Sequence, residues 1–178
     1  TRVSRILGEP PEALHRNLPV PAEPLFDYSN ADFDHPMADI EAVKKINPHR
    51  GEMIQINGVA HWTDDFAQGV GWRDVRDDEF WVPGHIPGRP LLPGVLMIES
   101  AAQLSSFIHI KGAPPEGSGF LGFTRCDECA FRGQVIPGDR LILLAQSVTR
   151  NRRRFISKCQ GFVNDNLVFE VTVTGMQV

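Results

Sequence analysis

The chain has 178 residues, a formal net charge of −4, 42% hydrophobic residues and 22% charged residues. That length suits a single domain with one core, and that balance excludes disordered and fibrous chains. The acidic excess argues against a general nucleic-acid binder. No apolar run reaches the roughly 18–20 residues that span a bilayer, and the first residues lack the apolar centre of a secretory signal. A soluble, cytoplasmic protein is therefore expected.

Residues 1–37 carry six of the 14 prolines and no sustained periodicity, which predicts an extended arm rather than a second domain. Asp39–Ile46 (DIEAVKKI) predicts a short helix ended by Asn47-Pro48. Strand patterns follow at Glu52–Trp62 and Ala67–Val75. Val95–Ile110 is almost uniformly apolar and rich in helix formers, entered through Pro93-Gly94 and left at Lys111-Gly112, so it reads as a buried helix. Beyond it the period changes to two, at Leu141–Val148, Phe155–Val163 and Leu167–Val173. Asn164-Asp165-Asn166 and the Arg-rich turn at Asn151 supply the corners of an antiparallel meander. One buried helix among long antiparallel strands implies an α+β domain whose sheet wraps the helix. Cys126, Cys129 and Cys159 are too few for a disulfide framework, and the single CxxC has no second ligand pair, so ordinary thiols and no metal are expected.

The chemistry-bearing segment is Trp81–Gln103, WVPGHIPGRPLLPGVLMIESAAQ. His85 sits in a Gly- and Pro-dense loop whose rigidity can aim an imidazole as a general base. A histidine satisfied by a turn carbonyl fits the same residues. Glu99 is the only charged residue between Arg89 and Lys111. A carboxylate buried there must pair, protonate or work, and a raised pKa would make it a general acid; the alternative has it facing water. Pro93-Gly94 opens the helix, whose free amides attract developing negative charge. Base, acid and oxyanion site together describe α-proton abstraction with β-elimination of water.

Gly84–Gln103 closely resembles the signature of the (3R)-3-hydroxyacyl-acyl-carrier-protein dehydratases of fatty-acid synthesis, the FabZ/FabA type, which reads approximately GHFPGxPxMPGVLxIEAxAQ. Pro48-His49-Arg50 and Val135-Ile136-Pro137-Gly138-Asp139 resemble two further motifs of that family, so the likeness spans residues 38–178. It implies a hot-dog fold, with His85 and Glu99 as the catalytic pair, Gly94 as the amide that binds the thioester oxygen, and Gln103 as a support for the carboxylate. It also implies a homodimer or trimer of dimers, in which His and Glu meet from different subunits, and no cofactor. Acyl-carrier-protein or CoA thioesters are the expected substrates, and Arg150, Arg152, Arg153 and Arg154 could attract an acidic carrier. A hot-dog thioesterase and a non-catalytic acyl-thioester binder are the alternatives.

Overall fold

The structure, a computed structural model, describes residues 22–112 and 121–177. Six strands form one antiparallel sheet: β1 (Gly58–Trp62), β2 (Gln68–Asp74), β3 (Leu121–Phe131), β4 (Arg140–Asn151), β5 (Arg154–Val163) and β6 (Asn166–Gln177). Their spatial order is β1-β2-β4-β5-β6-β3. The last three in chain order make the expected meander, and both of its corners are two-residue turns. Asn164 and Asp165 take φ of 48° and 63°, the left-handed pair that matches the strands' twist and that Asn and Asp tolerate. At the other corner the Asn151 side chain accepts hydrogen bonds from the backbone N–H groups of Arg153 and Arg154, both at 3.0 Å.

Helix α1 (Ile40–Ile46) begins where Asp39 accepts a hydrogen bond from the Ala42 N–H at 2.8 Å. Helix α2 (Gly94–Gly112) is buried along most of its length, and the sheet curls around it. Leu104 and Phe107 are almost wholly enclosed and join Leu143, Ala145 and Val173 in the main core. Gly69 lets β2 approach the helix, because a Cβ there would lie 2.6 Å from the Ile108 side chain.

Three features depart from the sequence reading. The expected strand over Glu52–Trp62 begins only at Gly58, and a 3₁₀ turn occupies Gly51–Met53. The backbone groups of Met53 and Gln55 are bonded to the Gln103 side chain instead of to a neighbouring strand. Strand β3 carries no apolar alternation, since it lies at the sheet edge with most residues exposed and two register shifts. Finally, the described part of the Pro-rich arm is an outer layer of the sheet. Phe26, Tyr28 and Phe33 cover Val70, Leu144, Phe162 and Leu167 on the face away from α2. The Leu25 N–H donates to Gln160 Oε1 at 2.8 Å, and Phe33 stands edge-on to Trp72. Residues 1–21 lie outside the described residues.

Leu104 has no exposed surface at the centre of the helix–sheet contact. Leu104→Ala is expected to lower unfolding free energy by about 3 kcal/mol, through lost burial and the cavity left behind. Urea denaturation measures this, and a loss under about 1 kcal/mol would contradict the packing described.

Candidate active site

Glu99 lies on the second turn of α2 with its side chain 23% exposed. Two donors hold it. Gln103, one turn further along, donates from Nε2 to Glu99 Oε1 at 2.7 Å, and His49 Nε2 stands 3.2 Å from the same oxygen. Burial pushes the carboxyl pKa up, but the hydrogen bonds from His49 and Gln103 and the attraction of His49 outweigh it, leaving Glu99 below its ordinary 4.5. The raised value expected from the apolar helix is thus reversed, because the sequence did not show the two donors. Ionised Glu99 contributes stability that is present above pH 4.5 and is lost as pH falls through its lower folded-state value.

Sequence reasoning gave His49 no role, although the Pro48-His49-Arg50 motif marked the position. Its neighbour Arg50 explains how it is placed. The Arg50 guanidinium donates to the carbonyls of Lys44, Asn47 and His49 at 2.6–2.9 Å, binding the end of α1 to the turn that follows. That clamp presents the imidazole to Glu99. His49 Nδ1 is buried and has no hydrogen-bond partner among the described residues.

Gln103 is 1% exposed and uses every polar atom. Its amide nitrogen also donates to Met53 O at 2.7 Å, its amide oxygen accepts from the Gln55 N–H at 2.9 Å, and its backbone carbonyl accepts from Asn47 Nδ2 at 3.0 Å. Gln55 continues the chain of bonds: its side-chain oxygen accepts from buried Arg73, which also bonds Glu79. Glu79 in turn accepts from Trp81 Nε1 at 2.9 Å, and the Trp81 carbonyl accepts from the His85 N–H at 2.8 Å. A continuous polar network therefore runs from the Glu99 carboxylate to the loop that carries His85.

His85 itself is exposed. Its Nδ1 lies 2.7 Å from Leu91 O. A carbonyl can only accept, so Nδ1 carries the hydrogen and Nε2 keeps its lone pair. The turn carbonyl weighed as the ordinary explanation for this histidine is present, and it fixes the tautomer a base needs. Within one chain, however, the imidazole beside Glu99 is that of His49 and not that of His85. Gly94 is the first residue of α2, where a Cβ would come 2.6 Å from the Phe131 ring. A side chain there would displace Phe131, so glycine keeps the helix start against β3.

A recess of about 60 Å³ opens beside Glu99, lined by His49, Ala102, Ser106, Phe123, Phe155 and Gly175. It lies toward β3, where Phe123 and Phe131 are about half exposed. Arg150 stands elsewhere, donating to the carbonyls of Phe66 and Asp65 at 3.2 and 2.8 Å, while Arg152, Arg153 and Arg154 are exposed at the β4–β5 turn. Among the described residues no group of three or more His, Cys, Asp or Glu side chains is placed to hold a metal ion. Cys126 and Cys129 are exposed on β3, and burial pushes the Cys159 thiol up to about 12. No helix among the described residues is long and apolar enough to cross a membrane.

A long helix wrapped by an antiparallel sheet, with a carboxylate near the helix start, defines the hot-dog class. The dehydratase heterocomplex ApeI:P from Xenorhabdus doucetiae shares this fold, with a TM-score of 0.62 and 15% identity over 76% of this chain and 90% of that one. A hypothetical thioesterase with coenzyme A from Streptococcus pneumoniae TIGR4 shares it at a TM-score of 0.51 and 12% identity, over 67% of this chain and 84% of that one. Residues 47–172 match the model of the FabA-like domain. The 3-hydroxyacyl-[acyl-carrier-protein] dehydratase FabZ of Alkaliphilus metalliredigens is 36% identical over 135 residues, 74% of this chain and 88% of the relative. That of Bradyrhizobium diazoefficiens is 34% identical over 141 residues, 79% and 92%. The bifunctional enzyme LpxC/FabZ of Porphyromonas gingivalis is 31% identical over 137 residues, and the chain spans 29% of its length. This chain belongs to the FabA-like dehydratase family.

Replacing His49 with Phe removes one donor from Glu99 while keeping the ring's bulk. The carboxyl pKa is expected to rise, since burial then acts against a single remaining donor. Carboxyl NMR titration reads the shift, and an unmoved or lower value would show that His49 does not stabilise the carboxylate.

Proposed function

We propose that this chain catalyses the reversible dehydration of (3R)-3-hydroxyacyl thioesters to trans-2-enoyl thioesters. The observation that carries the reading is Glu99, a carboxylate held by two donors on an apolar helix, in a chain of a dehydratase family. His85 takes the α-proton on Nε2, the nitrogen its bond to Leu91 leaves unprotonated. The electrons move toward the thioester oxygen, where the Gly94 amide at the start of the 19-residue helix stabilises the charge. The β-hydroxyl then leaves as water with a proton from Glu99. Because Glu99 rests ionised, it takes up one proton from solvent before the β-hydroxyl leaves, and His85 returns the α-proton to solvent afterwards, so the cycle closes with no net change in the protein. No step calls for a cofactor.

His85 is turned outward and Glu99 faces a recess toward the edge strand, which supports a homodimer that pairs each Glu99 with the partner's imidazole. Among the described residues strand β3 has β6 on one side and no strand on the other, and its exposed Phe123 and Phe131 give a second chain an apolar edge to cover. A dimer is the smallest assembly this requires, and a trimer of dimers satisfies it equally. The substrate is carried on acyl carrier protein or CoA. Arg152, Arg153 and Arg154, exposed at the β4–β5 turn, form a basic surface suited to an acidic carrier, and Arg150 beside them donates to the Phe66 and Asp65 carbonyls.

Purified protein given crotonyl thioester is expected to form the 3-hydroxybutyryl thioester without releasing thiol. His85→Ala and Glu99→Gln should each lower that rate about 10²- to 10⁴-fold. Wild-type turnover in either variant, or thiol release as the main product, would overturn the assignment.

A further inference from the structure

A second cavity lies further along α2, where one buried side chain has no use in the mechanism above. His109 is 3% exposed, and neither of its ring nitrogens has a hydrogen-bond partner among the described residues. Leaving two buried polar atoms unmatched costs free energy comparable to lost hydrogen bonds, so such a pair marks a place where another polar group belongs. The surroundings are mixed: Ser105, Ser147, Ser157 and Arg150 line the same cavity, with Phe66, Ile108 and Phe155 among its apolar walls.

Phe155 also lines the recess beside Glu99. Its ring lies tilted by 37° against His109 with centroids 5.1 Å apart and packs over Gly175. The Phe155 ring therefore borders both the recess beside Glu99 and the His109 chamber. Glu99 and His109 are ten residues apart on α2, about 15 Å at 1.5 Å per residue. Ala102 and Ser106 mark the path between them. An acyl chain whose reacting carbons sit at Glu99 is thus directed toward His109.

The chamber's chemistry narrows what the far end of that chain carries. Burial, together with the charge of Arg150, pushes the His109 pKa down, so the ring is neutral and offers one donor and one acceptor. A hydroxyl can meet either need, accepting from the ring N–H or donating to the bare nitrogen. The free space is about 10 Å³, enough for one water-sized group and too little for a carboxylate.

We infer that the His109 chamber recognises a hydroxyl at the distal end of the acyl chain, so that hydroxyl-terminated acyl thioesters are preferred over plain alkyl ones. The inference rests on the dehydratase reading and adds a substrate class to it. A site built around unpaired polar groups discriminates strongly against an analogue that leaves them unpaired.

The test compares hydration of trans-2-dodecenoyl thioester with and without a hydroxyl on its terminal carbon. Wild-type protein is expected to favour the hydroxylated chain by about tenfold or more in kcat/KM. His109→Leu should erase that ratio, and His109→Gln, which keeps a donor and an acceptor, should retain most of it. Equal kcat/KM for the two substrates in the wild type, or an unchanged ratio in His109→Leu, would overturn the chamber's role. Crotonyl thioester separates the two readings, since it is too short to reach His109. A wild type that hydrates crotonyl thioester but does not discriminate loses only the chamber, and one that hydrates neither loses the dehydratase reading and the chamber together.

Discussion

The structure depends on how the Gln103 amide is shared. One buried side chain holds the Glu99 carboxylate, the Met53 carbonyl and the Gln55 N–H, while its own backbone carbonyl takes Asn47. Substituting it would strand several buried polar groups at once, each at a cost of about 1–3 kcal/mol. The same bonds keep residues 53–55 out of the sheet, so the turn after α1 carries His49 toward Glu99. From Gln55 the network passes through Arg73 and Glu79 to Trp81, whose carbonyl holds the His85 backbone. Glu99, Gln103 and the loop that carries His85 are thereby tied into one polar frame.

That frame explains the electrostatics. An apolar helix by itself would drive the Glu99 carboxyl toward the neutral form, and the donors reverse the direction. The site therefore favours a carboxylate at Glu99, with His49 Nε2 3.2 Å away as one of its two partners. On the other face of α2's sheet the Pro-rich arm covers Val70, Leu144, Phe162 and Leu167, which leaves the β3 edge as the open flank near the recess. The exposed β3 edge and the Glu99 recess thus lie on the same flank of the fold.

Much of this was legible in the sequence. The buried helix, the meander and its Asn-Asp turn followed from period and turn chemistry, and Glu99 stood out as a lone charge in an apolar run. His85 was less distinctive, because a histidine in a Gly- and Pro-rich loop fits a base and a satisfied turn residue equally, and the structure shows the turn bond, from Nδ1 to Leu91 O. Strand β3 was illegible because an exposed edge has no reason to alternate. The role of His49 was hidden since a motif of three residues does not say which distant carboxylate it meets, and the arm's function depends on an outer sheet face that no local pattern reveals.

The most direct test of the shared site is complementation between inactive variants. His85→Ala and Glu99→Gln subunits, dissociated and reassociated in equal amounts, form mixed dimers in half of the population, each with one complete His–Glu pair. Recovery of about a quarter of wild-type crotonyl thioester hydration is the predicted result. Activity that stays at the level of the separate variants, once mixed dimers are confirmed by native mass spectrometry, would contradict a site built from two chains.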